Sequence, residues 1–131
     1  MHADTSAAEA TLRAYAEAFA RDDIDTVVSL LHVPCVYIRP VGVTVFPDVD
    51  SARTGLSAGM EQMRAEGYHH TDFVQLTSRV LSSDLVAVSG TLVRIGKDGQ
   101  ELNRVGFTYT LRLHEGDWRL VCAIIHDPPV I

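Results

Sequence analysis

Residues 105–126 read VGFTYTLRLHEGDWRLVCAIIH, and this stretch decides the fold. Two runs of alternating apolar and polar residues enclose Glu115, Gly116 and Asp117, a cluster whose residue types favour a tight turn. So short a connection makes the two runs antiparallel strands, because parallel neighbours need a long crossover. With the turn centred on those three residues, Leu113 faces Trp118, Leu111 faces Leu120, Tyr109 faces Cys122, Phe107 faces Ile124 and Val105 faces His126. Strand side chains alternate, so these ten residues share one side of the sheet, while Arg104, Thr108, Thr110 and Arg112 line the other. One side is therefore apolar, with the Tyr109 hydroxyl and the His126 imidazole set into it. A slip of one residue would reverse the assignment.

Upstream, runs near 70–81 and 85–95 are also rich in Val, Thr and Leu, and turn clusters at Ser82-Ser83-Asp84 and Gly96-Lys97-Asp98-Gly99 separate them. Four strands in an antiparallel meander follow. The first half of the chain is helical. Ser6 and Glu9 have capping-box spacing, and Ala8, Leu12, Tyr15 and Phe19 form one apolar stripe beyond them. Asp22 and Asp23 supply the next cap, and Ile24, Val27, Val28 and Leu31 mark a short helix stopped by Pro34. Val36–Ile38 and Val43–Phe46 are extended. Asp48, Asp50 and Ser51 cap a third helix bearing Leu56, Met60 and Met63, with Gly67 at its C′ position. Helices followed by an antiparallel sheet define an α+β fold, expected as one domain over residues 1–131.

Composition narrows the function classes. The chain is 47% apolar and 21% charged, which is globular. Its 11 Lys and Arg against 17 Asp and Glu leave −6, the wrong sign for a general nucleic-acid or anionic-membrane binder. No apolar run approaches the ~18–20 residues that span a bilayer. The first residues lack a signal-peptide pattern, and Cys35 and Cys122 form no disulfide framework, so the expected setting is cytoplasmic with two reduced thiols. Nucleotide-binding glycine motifs and metal-ligand spacings are absent; His69 and His70, adjacent on a strand, would point to opposite faces. No cofactor or metal is expected. Asp72 reads as an exposed strand-end carboxylate, and Arg94 and Glu101 as a cross-strand surface pair.

The helix pair running from Tyr15 through Arg21-Asp-Asp-Ile-Asp to Leu30-Leu31, then Arg39-Pro40-Val41-Gly42 and the four-strand tail, resembles the NTF2-like superfamily. Its SnoaL-like and ketosteroid-isomerase-like branch looks most similar, over roughly residues 8–126. The resemblance implies a cone: three N-terminal helices packed on a strongly curved, mostly antiparallel sheet, with an internal cavity and frequent homodimer formation. It also implies a role for Tyr15, which matches a first-helix tyrosine that donates a hydrogen bond to substrate. Arg39 stands where the steroid-isomerase branch keeps its general-base aspartate, and Tyr109 falls near that branch's second acidic residue. A guanidinium cannot accept a proton, so the isomerase reaction with that base is excluded.

Three side chains are candidates for chemistry. Tyr15 is either a core aromatic or a hydrogen-bond donor to ligand; Arg39 either pairs with a carboxylate or clamps an anionic group. His126 is either a hydrogen-bonded core histidine or a proton shuttle with a pKa near neutrality. Tyr109, Phe107, Phe19, Trp118 and Cys122 are expected to line the cavity. The resulting expectation is a cofactor-free enzyme of the SnoaL-like type, an isomerase, cyclase, dehydratase or hydrolase acting on a small, mostly apolar carbonyl compound. The alternative is a non-catalytic NTF2-like module that binds a ligand or dimerises.

Overall fold

The computed structural model describes residues 5–128. Helix α1 (Ser6–Ala20) buries Ala8, Leu12, Tyr15 and Ala18, the stripe that its 3.6-residue period sets out. Its N-cap is Thr5 rather than Ser6, and the Thr5 hydroxyl bonds the Glu9 carboxylate at 2.9 Å; the cap lies one residue earlier than the capping-box spacing indicated. Helix α2 (Ile24–Ser29) is capped by Asp23, whose carboxylate accepts from Thr26 N and Oγ1. It ends before Leu31. Pro34, expected to stop this helix, lies inside strand β1 (Leu31–Arg39), where the pairing with the neighbouring strand is irregular between Leu31 and Val36. An irregularity of that kind tolerates a residue without an N–H.

Strand β2 (Gly42–Phe46) pairs back on β1, and helix α3 (Val49–Ala65) follows with Asp48 and Ser51 forming a reciprocal capping box. Gly67 then takes a φ of +92°, the left-handed conformation that closes a helix and that glycine adopts without a Cβ penalty. Strands β3 (Tyr68–Ser82), β4 (Leu85–Gly96), β5 (Glu101–His114) and β6 (Asp117–His126) complete a sheet of order β2-β1-β6-β5-β4-β3. Every neighbouring pair is antiparallel except β1–β6. The fold is thus α+β, with three helices on a mostly antiparallel six-stranded sheet.

The core lies between α1 and the inner sheet face, where Leu12, Val86, Val88, Phe107, Leu111 and Leu120 are each at most 1% exposed. Bulges supply the curvature that lets the sheet wrap the helices. Three lie in β3, between Tyr68 and His70, between Phe73 and Gln75, and between Val80 and Ser82. Another, between β5 and β6, changes the reading of the final hairpin. Leu113 does face Trp118 and Leu111 does face Leu120, but the next partners are Thr110 with Cys122, Tyr109 with Ala123, Phe107 with Ile125 and Gly106 with His126. Val121 is the extra residue. From there onward the β6 faces are exchanged relative to a regular ladder, so Cys122, Ile124 and His126 leave the inner side and Ala123 and Ile125 enter it.

The same physics corrects two smaller expectations. Arg94 is opposite Asn103, not Glu101, and donates to Asn103 Oδ1 at 3.3 Å, while Glu101 pairs with Arg104 at 2.8 Å. The bulge after Tyr68 brings the His69 and His70 rings together, Nδ1 to Nδ1 at 2.9 Å, instead of sending them to opposite faces. Asp72 is exposed and lies 3.4 Å from His70 Nε2.

Candidate functional site

A cavity of about 400 Å³ opens between α1, α3 and the inner sheet face. Its position follows from the elements already described. The β3 bulges tilt Tyr68 and Phe73 inward, Gly55 and Gly59 thin the facing side of α3, and β1 delivers Tyr37 and Arg39 from alternate positions of one face.

The inner end is made of buried tyrosines. Tyr15 and Tyr37 hydroxyls lie 2.7 Å apart, and the Tyr109 ring meets Tyr15 edge-on with centroids 6.5 Å apart. Phe19 stacks between Tyr15 (6.0 Å) and Tyr68 (6.3 Å), and Tyr68 Oη bonds Thr71 Oγ1 at 2.8 Å. Burial pushes the phenols of Tyr15, Tyr37 and Tyr109 above the ordinary tyrosine range. Neighbouring phenols add to the effect, while the cations Arg39 and Arg94 pull Tyr109 back down and Arg39 does the same for Tyr15. The two hydroxyls share a single hydrogen bond in which either oxygen can donate. All three stay protonated at neutral pH.

The rim carries the polar groups. Arg39 lines it and has no carboxylate partner among the described residues; Arg94 donates only to Asn103. Gln62 and Glu66 stand across from them at the end of α3. Glu66 is the one carboxylate among the lining residues.

Of the side chains expected here, Tyr15, Arg39, Tyr109 and Phe19 line the cavity together. The others do not. Phe107 is fully buried beneath the cavity wall, against Phe73 at 5.4 Å and Tyr109 at 5.2 Å. Trp118 lies at the opposite end of β5–β6, where its carbonyl accepts from Thr11. Cys122 and His126 sit on the outer sheet face because of the bulge at Val121. There His126 Nε2 shares a hydrogen bond with Thr108 Oγ1 at 2.9 Å, and Nδ1 donates to the Asp127 carbonyl at 2.7 Å. Those two partners hold its ring outside the cavity.

Tyr37, Tyr68 and Asn103 belong to the site without having been singled out by sequence, and Arg94, read there as half of a surface pair, belongs to it too. For Arg94 a signal existed: Val86, Val88, Leu92 and Arg94 share one strand parity, so a charge stands at the end of an apolar face. No group of three or more His, Cys, Asp or Glu that could hold a metal occurs among the described residues. No helix among them is long and apolar enough to cross a membrane.

The buried acids predict an alkaline transition. Burial raises the Cys35 thiol to about 11, and the cavity phenols rise too. Such groups keep their protons in the fold after the unfolded chain has lost them near its ordinary thiol pKa of ~8.5 and phenol pKa of ~10. Their contribution to stability is intact below about pH 8.5 and is lost as pH rises through 9 to 11. The urea midpoint should therefore be level from pH 7 to 8 and decline through that window. A midpoint unchanged up to pH 11 would contradict the burial of these groups.

An NTF2-like protein of unknown function from Shewanella oneidensis MR-1 is 16% identical, with 94% of this chain and 98% of that one covered and a TM-score of 0.72. A protein of unknown function with a cystatin-like fold from Nostoc punctiforme PCC 73102 is 12% identical, covering 100% and 98%, with a TM-score of 0.79. An NTF2-like protein with a cystatin-like fold from Novosphingobium aromaticivorans is 15% identical, covering 94% and 80%, with a TM-score of 0.77. At these identities the likeness is one of fold. No curated protein matches the chain by sequence. The family described as NTF2-like protein (DUF6841) matches residues 4–128, so the chain belongs to that NTF2-like family.

Proposed function

We propose that the cavity binds a small, mostly apolar molecule carrying a carbonyl or carboxylate group, with Tyr15 as hydrogen-bond donor, Arg39 as anion clamp, and Arg94 as a second cation. One observation carries this reading: a hydrogen-bonded pair of buried tyrosines at one end of a cavity whose rim holds Arg39, a guanidinium with no carboxylate partner among the described residues. The pair shares one hydrogen bond, so one of its two hydroxyl protons is left for a ligand oxygen. The aromatic walls bury the apolar body of the molecule.

Binding is favoured over turnover because the expected proton shuttle is missing from the cavity. His126 lies on the outer face, the cavity phenols hold their protons at neutral pH, and guanidinium cannot accept one. A second reading keeps the SnoaL-like chemistry, with Tyr15 polarising a carbonyl and Glu66 at the rim as base; the poised tyrosine pair favours it.

The test is thermal unfolding with 4-phenylbutyrate and its neutral analogue 4-phenylbutanol. The carboxylate should raise the midpoint saturably and the alcohol should do so less well. Arg39→Gln should weaken the carboxylate about tenfold or more, and Tyr15→Phe about three- to tenfold, as charged and neutral hydrogen bonds of ~1.5–3 and ~0.5–1.5 kcal/mol are lost. His126→Ala should leave binding unchanged. No midpoint shift with either compound, or a loss caused by His126→Ala, would refute the assignment.

A further inference from the structure

At the far end of β5 from the cavity lies a second concavity of about 510 Å³, lined by α2, the start of β1, Val49 and Arg53 of α3, the β5–β6 turn and Arg119. Its charges are arranged in an unfavourable way. Arg112 and Arg119 are direct cross-strand partners, a placement in which like charges destabilise a sheet. His32 joins the same patch: its Nε2 is 2.9 Å from Arg112 Nη1, and the His114 ring meets it edge-on at 5.3 Å. On a chain of net charge −6, this gathers two guanidiniums and two imidazoles in one place.

The local acids offset it only in part: Arg119 pairs with Asp117, but Arg112 has no carboxylate beside it among the described residues. Asp25 is engaged by Arg53 of α3, Glu115 is 3.9 Å from His114 with its side chain 82% exposed, and Asp117 is 3.5 Å from Arg119. Arg112 has no carboxylate partner among the described residues. A guanidinium only donates, so the bond to His32 places its proton on Nδ1. That nitrogen is buried without a hydrogen-bond partner; the approach of its own backbone carbonyl falls short of bonding geometry. Burial first, then Arg112, His114 and Arg119, holds His32 below the ordinary imidazole range.

We infer that the edge of this concavity, where Arg112 stands behind the lining residues His32 and Arg119, is a binding site for a phosphate- or sulfate-type oxyanion, held by Arg112 and Arg119 with His32 and His114 beside it. The anion accepts from the two guanidiniums, removes their mutual repulsion, and draws Arg112 away from His32 Nε2. The imidazole can then take up a proton, so binding strengthens as pH falls. Val28, Leu31, Val33 and Val49 line the same concavity and suit the organic part of a phosphate monoester.

The experiment is thermal unfolding of the full chain in sodium sulfate against sodium chloride at equal ionic strength. Sulfate keeps its charge between pH 6 and 8, so a change in its affinity reports protein groups. The midpoint should rise saturably with sulfate, at lower concentrations at pH 6 than at pH 8. Arg112→Gln should weaken sulfate about tenfold, the size of one lost charge-assisted bond; Arg119→Gln serves if that variant does not fold. His32→Gln should keep binding but flatten its pH dependence. Arg39→Gln, in the other cavity, should leave sulfate affinity within about twofold. Phenyl phosphate binding more tightly than inorganic phosphate identifies a monoester as the source, and equal binding identifies the free ion. Chloride reproducing the sulfate effect, unchanged sulfate affinity in Arg112→Gln, or loss of the effect in Arg39→Gln would overturn the site.

Discussion

Phe107→Ala is expected to cost about 3–5 kcal/mol of folding stability, the range for deleting a fully buried aromatic ring. Phe107 is 0% exposed, the largest of the side chains that are completely enclosed. Its ring packs edge-on against Phe73 and Tyr109, so it supports two walls of the cavity without touching the opening. Both the burial and the aromatic contacts are lost together. Urea unfolding of the variant measures the cost, and a value under about 1 kcal/mol would mean that the site collapses around the missing ring. A further consequence concerns the ligand: with the ring gone, Tyr109 and Phe73 lose their backing, and 4-phenylbutyrate should bind less tightly even though no residue that touches it has changed.

Gly90→Ala is expected to be at least as damaging, about 3 kcal/mol or more, although it adds one carbon. Gly90 is the β4 partner of Phe107 on one side and of Leu76 on the other. A Cβ there would overlap the Gln75 carbonyl oxygen and carbon and press on Leu76 Cα at 3.1 Å. These are backbone atoms next to the bulge at Val74, and they cannot rotate away as a side-chain tip would. The only relief is to part β3 from β4 at the bend that turns Phe73 and Tyr68 towards the cavity. The variant should therefore lose amide-exchange protection along β3 before global unfolding, a pattern visible by hydrogen exchange. Protection along β3 equal to that of the parent chain would refute the close approach. Because Gly90 and Phe107 face one another, the two substitutions should not be additive.

These predictions lie where local pattern and long-range pairing meet. The three helices were readable because their apolar residues recur with the helical period: Ala8, Leu12 and Tyr15 in α1, and Leu56 and Met60 in α3, are buried as that period requires. The inner face of β5 was readable for the same reason, since Phe107, Tyr109 and Leu111 alternate cleanly with Thr108, Thr110 and Arg112. Tyr15 and Arg39 line the cavity.

The β6 face was not readable. Residues 120–125, LVCAII, are apolar throughout, so alternation there carries no information about which side is inward. A single unpaired residue, Val121, then decided whether His126 faced a ligand or the outer surface. In the same way, the meeting of Arg112, Arg119 and His32 depends on the pairing of three strands and is invisible along any one of them.

The amino-acid order by itself determined the α+β class, the helix faces and the turns, because each depends on contacts within one element and its own hydrogen bonds. The placement of polar groups was decided only in three dimensions. Strand register depends on where bulges fall, and a bulge is settled by packing across the sheet between residues far apart in the chain, so one inserted residue redirects every side chain beyond it.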